Sequence, residues 1–229
     1  MYRQQIIYKL QRALMVLAII APAACQVAFA QEYRYEAGGA LGVSGYLGDV
    51  NQSNVLKNPG FSGELFFRYL FNKRFALKTS LATAGISGNS ADFSNVFPDG
   101  MQYQFNHRYY DAAVAFEFNF FNFGMNNDYR HLKRLSPYLS LGLGGAYSSS
   151  SAFAVNIPIG VGAKFKLTNR WNIGLEMRAR MMLGDKIDGL SDLRNIRSST
   201  MKNTDWCPTL MIGISYEFGE ICKICHYVD

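Results

Sequence analysis

The sequence predicts an all-β protein: an antiparallel up-and-down β-barrel of eight strands that crosses a membrane. Three observations carry that expectation. Period-two alternation runs for about a dozen residues at a time, roughly twice the length of an ordinary soluble strand. Charged residues keep to one parity of those runs. Beyond the N-terminus no apolar window approaches the ~18 residues of a transmembrane helix.

The clearest stretch is Asn156–Arg180. Ile157, Ile159, Val161, Ala163, Phe165 and Leu167 are apolar, whereas Pro158, Gly160, Gly162, Lys164 and Lys166 between them are small or charged. After a turn at Thr168-Asn169-Arg170 the rule resumes, with Trp171, Ile173, Leu175, Met177, Ala179 and Met181 set against Asn172, Gly174, Glu176, Arg178 and Arg180. A tilted strand crosses the hydrocarbon in about nine to eleven residues, and lipid then serves one face as its apolar partner. The other face lines the barrel.

Residues 1–30 form a separate object. Arg3, Lys9 and Arg12 make a positive start, Ala13–Ala24 an apolar core, and Ala28-Phe29-Ala30 a cleavage pattern, so a signal peptide is expected. Lipidation at Cys25 is not, since Pro22 stands where a lipobox carries Leu. The domain plan is 1–30 signal, 31–219 barrel and 220–229 a cysteine-containing tail. Removing the signal leaves 20 Lys+Arg against 17 Asp+Glu, a net charge of +3. The basic pI is thus partly the signal's, and nucleic acid is not implied.

Along the mature chain the first strand is Tyr33–Leu47, followed by a polar loop rich in Asn, Gly and Pro. The second, Phe61–Phe71, sends Phe61, Leu65, Phe67, Tyr69 and Phe71 outward and Ser62, Glu64, Phe66 and Arg68 inward. A tight turn at Asn72-Lys73 leads to the third, Arg74–Ser87, and a loop 88–107 to the fourth, Arg108–Phe121. A polar, basic connection, Asn122–Ser136, precedes the fifth, Pro137–Ser148. A short Ser-rich link reaches the hairpin above, and a long loop, 184–205, reaches the eighth strand, Trp206–Phe218.

On these strands Arg34, Glu36, Glu64, Arg68, Lys78, Asp111, Glu117, Lys164, Lys166, Glu176, Arg178, Arg180 and Glu217 all share the inward parity. A basic residue in the lipid-facing wall at the bilayer midplane costs roughly 2–4 kcal/mol, which explains the segregation. An eight-stranded lumen is just wide enough for side chains to fill, so these charges should pair and leave no open pore. Trp171, Trp206, Tyr33, Tyr69, Tyr110, Tyr147 and Tyr216 fall near strand ends, as interfacial aromatic girdles do. The short turns are expected on the periplasmic side with the C-terminus, and the loops after the first, third and seventh strands outside the cell.

Few constellations offer material for chemistry. Cys222-Lys223-Ile224-Cys225-His226 matches the c-type haem pattern, but only three residues follow His226 and no haem is expected. Zinc would need further ligands, and His107 and His131 lie at opposite barrel ends in this plan, so no metal is assigned. Three cysteines remain after signal removal, Cys207, Cys222 and Cys225, and their pairing is open, with an internal clip or a bond to a partner as alternatives. His107 with Ser44 and Ser87 is the material for a hydrolase site near the rim, but no G-x-S-x-G accompanies it. Asp185, Asp188 and Asp192 depart from a calcium-loop spacing and read as a solvated acidic loop. No catalytic residue, cofactor or small-molecule substrate is assigned.

Several segments in order resemble a known family: EYRYEAGGALGVSGYLGDVN, NVFPDG, FEFNFFNFG, SPYLSLGLGG, NIPIGVGAKFKLTNRWNIGLEMR, KNTDW and CKIC. The chain resembles, over about residues 32–225, the DUF6089 family of Bacteroidota outer-membrane barrels, which includes the PorG component of the type IX secretion system. The resemblance implies a cell outer-membrane protein of type IX secretion, linked in gliding species to adhesin export and gliding motility. It also implies association with a periplasmic ring of PorK-like lipoprotein and PorN-like protein, through periplasmic turns and tail, with the barrel as an anchor. Cys222 and Cys225 match the family's terminal C-x-x-C as a partner or disulfide site. The alternatives are a general small barrel, adhesin-like or envelope-stabilising, or a barrel enzyme acting on lipid.

Overall fold

The computed structural model describes residues 33–47, 59–89, 104–124, 132–149, 152–183 and 206–220. The expected signal peptide, most of the loops at one end and the cysteine tail lie outside the described residues. Eight strands form a closed barrel in sequence order: β1 (Tyr33–Ser44), β2 (Gly60–Leu70), β3 (Phe75–Asn89), β4 (Gln104–Asn119), β5 (Leu135–Ser148), β6 (Phe153–Lys166), β7 (Trp171–Leu183) and β8 (Trp206–Glu220). Each strand pairs antiparallel with the next, and β1 closes on β8 from Tyr33↔Glu220 to Ser44↔Thr209. Closure removes the unpaired edges an open sheet would present to lipid.

Strand lengths run from 11 residues in β2 to 16 in β4. Several strands extend beyond the sequence expectation. β3 and β4 pair out to Asn89↔Gln104, where composition read as loop, and β5 and β6 begin earlier, at Leu135 and Phe153. β7 reaches Leu183, and β8 continues to Glu220. The reason is that pairing needs only backbone, so Asn, Ser and Gln are tolerated where a strand rises past the apolar wall. β1 and β4 stop earlier at the other limit, at Ser44 and Asn119.

The exterior is apolar. Leu65, Leu81, Leu141, Leu143, Met177, Ile212 and Ile214 are each more than half exposed, and the described outward positions in the middle of the strands carry no charge, the exposed Arg108 standing toward the loop end of β4. An exposed apolar surface of this extent is stable against hydrocarbon and not against water. Aromatic rings form a continuous arc near one rim, from Phe218 and Phe67 through Tyr35, Tyr69, Phe71, Phe116, Phe75 and Phe118 to Phe120, with neighbouring centroids 5.0–6.4 Å apart. Trp171 stacks edge-on against Tyr216 at 5.1 Å in the same band. Tyr33 departs from its expected outward place: it is 9% exposed, and its hydroxyl turns to Arg170.

That rim carries the two short hairpins, which share one hydrogen-bond plan. In β2–β3 the Phe71 and Asn72 amides donate to Phe75 O, and Asn72 Oδ1 accepts from the Arg74 and Phe75 amides. In β6–β7 the Leu167 and Thr168 amides donate to Trp171 O, and Thr168 Oγ1 accepts from the Arg170 and Trp171 amides. A short side-chain acceptor satisfying turn amides is the reason Asn and Thr occupy equivalent places.

Candidate functional site

The most elaborate arrangement of polar side chains lies inside the barrel. Six acids, Glu36, Glu64, Asp111, Glu117, Glu176 and Glu217, face six bases, Arg68, Lys78, Lys164, Lys166, Arg178 and Arg180, all of them buried. Arg34 shares their parity but sits at the rim and is exposed, so it is not part of this set. Its removal makes the two signs equal.

The pairs cross the lumen. Lys78 on β3 meets Glu176 on β7 at 2.8 Å and Glu64 on β2 at 2.5 Å. Arg178 on β7 grips the same two carboxylates, each at 2.5 Å. Tyr138 donates to Glu176 at 2.9 Å. Nearer the turn end, Arg68 bridges Glu36 and Glu117 at 2.8 and 2.9 Å, and Lys164 adds a 2.5 Å contact to Glu117. Lys166 pairs with Glu217 at 2.7 Å, and Asn172 donates to the same carboxylate at 2.8 Å. At the other end Arg180 meets Asp111 at 3.0 Å. Because strands several places apart are joined, the network fixes the barrel's cross-section as well as neutralising its charge.

Two aromatic rings complete the filling. Phe66 lies under Arg68 and Lys78, at 4.2 and 4.7 Å from its centroid, and Tyr138 lies under Lys164 at 4.6 Å. Each ring rests on a glycine. A Cβ at Gly38 would come within 2.7 Å of the Phe66 ring, and one at Gly162 within 2.6 Å of the Tyr138 ring. Two cavities of about 20 Å³ each remain beside these groups, room for about one water apiece.

Both mouths are closed by apolar groups. At the loop end Tyr46, Ala84, Ile86, Tyr109, Ala146, Ala154, Met182 and Cys207 form one buried cluster. At the turn end the chain after β4 folds back under the lumen: Phe123 is 9% exposed and lies 5.1 Å from Lys166 Nζ, and Leu132 packs against Gly124.

The turn-end rim is basic. Arg170 reaches across the β1–β8 seam to the hydroxyls of Tyr33 and Tyr216, at 3.3 and 3.0 Å, and to Glu220. The hydroxyls of Tyr216 and Tyr33 hold its guanidinium above the ordinary arginine value. Arg34, Arg74, Lys133 and Arg134 are also exposed here.

The remaining candidates separate. His107 Nδ1 lies 3.4 Å from Ser149 Oγ, a serine that parity does not single out, while Ser44 is buried and donates to Gly85 O. Cys207 is buried at the loop end of β8. Cys222, Cys225, His226, His131 and the acidic loop with Asp185, Asp188 and Asp192 lie outside the described residues. Chain length alone limits the pairing: Cys207 and Glu220 stand thirteen residues apart on one extended strand, roughly 43 Å. Five further residues return at most ~18 Å of that distance, which leaves far more than the ~7 Å Cα separation a disulfide can span. Within one chain neither tail cysteine reaches Cys207. No group of three or more His, Cys, Asp or Glu placed to hold a metal occurs among the described residues.

A family model described as a domain of unknown function, DUF6089, matches residues 11–227. Among curated proteins none matches the sequence. Neisserial surface protein A (NspA) shares the fold, with a TM-score of 0.51 at 14% identity, covering 80% of this chain and 97% of that one. Ail, the attachment invasion locus protein of Yersinia pestis, gives 0.48 at 18% identity over 82% of this chain and 100% of that one. The outer membrane protein OprG from Pseudomonas aeruginosa gives 0.46 at 11% identity over 84% and 99%.

Proposed function

The chain belongs to the DUF6089 family, and from that premise we propose that it is a non-enzymatic outer-membrane component of the type IX protein secretion system. In this reading the barrel anchors a periplasmic ring of PorK-like and PorN-like proteins, and the turn end and C-terminus face the periplasm. The observation that carries it is the filled lumen: twelve cross-paired charges and two apolar closures suit a fixed anchor better than a conduit. The basic turn end with its folded-back β4–β5 connection supplies a surface for a partner.

Deleting the gene is expected to abolish secretion of cargo bearing the type IX C-terminal domain. Affinity purification of the tagged barrel from gently solubilised membranes is expected to retain the ring proteins. Normal secretion in the deletion strain, with no ring protein retained, would overturn the proposal. A second reading, a general small barrel serving adhesion or envelope stability, is favoured by the shared fold with a neisserial surface protein. It predicts intact secretion and a weakened envelope. His107 and Ser149 place a histidine and a hydroxyl 3.4 Å apart at the loop-end rim.

A further inference from the structure

The cations of the turn-end rim are unevenly used. Arg170 is committed to Glu220 and two tyrosines at the β1–β8 seam. On the β3–β4–β5 side, Arg74, Lys133 and Arg134 are exposed and have no acidic partner among the described residues. Neighbouring groups hold them in place. Arg74 Nε donates to Asn122 Oδ1 at 3.0 Å, and Arg74 O accepts the Asn119 amide at 2.7 Å. Lys133 Nζ stands 4.1 Å over the Phe121 ring, while its amide donates to Asn122 O at 2.9 Å. Arg134 O accepts the Lys166 amide, which ties this segment to β6.

Apolar side chains interleave with these cations. Phe120, Phe121 and Leu135 are 45%, 40% and 52% exposed, and Phe120 ends the aromatic arc that faces the lipid. Three cations without acidic partners among the described residues, beside exposed rings on a membrane-facing wall, match one kind of ligand: a phosphate at the interface joined to chains that lie along hydrocarbon. A soluble acidic peptide would leave the three apolar groups wet. We infer that Arg74, Lys133 and Arg134, with Phe120, Phe121 and Leu135, form a binding site for the headgroup and upper acyl chain of an anionic phospholipid in the leaflet at the turn end. The site rests on the membrane-spanning barrel and not on a role in secretion.

The test places the full mature chain in nanodiscs of phosphatidylcholine containing a minor fraction of phosphatidylglycerol or cardiolipin. Lipid retained after transfer to detergent is counted by native mass spectrometry. Retention of the anionic lipid over phosphatidylcholine is expected. It should fall by about fivefold for each cation removed and on the order of a hundredfold in Arg74→Gln/Lys133→Gln/Arg134→Gln, since each base near an anionic surface contributes about that factor. Arg108→Gln, which removes an exposed base at the loop end, should change nothing. Heat-modifiable migration on gels confirms that each variant is folded, and the single variants stand in if the triple variant is not. Inorganic phosphate and glycerophosphoglycerol separate a lipid site from a bare anion site, because neither should displace the lipid. Equal retention of neutral and anionic lipid, an unaffected folded triple variant, an Arg108→Gln loss of the same size, or displacement by either soluble phosphate overturns the inference.

Discussion

The lumen is filled in two ways, and the contrast between them is instructive. From Lys166 to Arg180 it is packed with paired charges, whereas above Arg180 it is packed with Tyr46, Ile86, Tyr109, Met182, Cys207 and three alanines. The charged part joins β2, β3, β4, β6 and β7 through directional contacts, so each residue depends on a particular partner. The apolar part asks only for volume. It also seals: with Phe123 at the opposite mouth, it keeps bulk water from the ion pairs, and charge–charge interactions strengthen as the local dielectric falls.

The contrast can be broken most forcefully in the charged part. Glu64→Leu leaves Lys78 and Arg178 facing each other with Glu176 alone between them, and a loss of about 3–5 kcal/mol is expected in urea unfolding from lipid vesicles. In the cap, Met182→Ala should cost about 2–3 kcal/mol, at the lower end for such truncations because Met182 packs partly against alanines and so forfeits fewer contacts. It should also speed hydrogen exchange near Arg180. Lys166 and Glu217 sharpen the comparison by isolating one pair. Either single substitution to an apolar residue should destabilise, while Lys166→Met/Glu217→Leu together should come within about 1 kcal/mol of the parent in the same urea titration, because a removed pair leaves no orphan charge. The smallest effect of a single substitution is expected at Tyr109→Phe. It removes the phenol that Arg180 contacts at 3.5 Å and should cost about 0.5–1.5 kcal/mol.

The same contrast explains what could be read from the chain. A charge at an inward position is conspicuous because lipid forbids it at the neighbouring one, so Glu64, Arg68, Lys78, Asp111, Glu117, Lys164, Glu176, Arg178 and Glu217 announced their side by parity alone, and all nine are buried in the lumen. The cap was invisible for the opposite reason. Ala84, Ile86, Ala146 and Met182 would be equally acceptable facing lipid, and only the register across eight strands shows that they meet. Arg34 misled because parity says which side a residue faces and not how far the barrel wall extends around it. The pairing of His107 with Ser149 likewise depends on where β4 and β5 end, and polar composition blurs those ends. The fold-back of Phe123 beneath Lys166 has no period at all.

The reach of Arg170 has a consequence for how the barrel is built. Its guanidinium belongs to the β6–β7 turn, yet its partners are Tyr33 on the first strand and Tyr216 and Glu220 on the last. These three contacts form together only once the chain's two ends have found each other. Arg170 is thus a molecular checksum on assembly, since Tyr33 joins the β8 partners only when β1 has met β8. In Arg170→Ala the equilibrium fold should persist, while sealing of the seam becomes the slow step, visible as delayed protease resistance during insertion into vesicles.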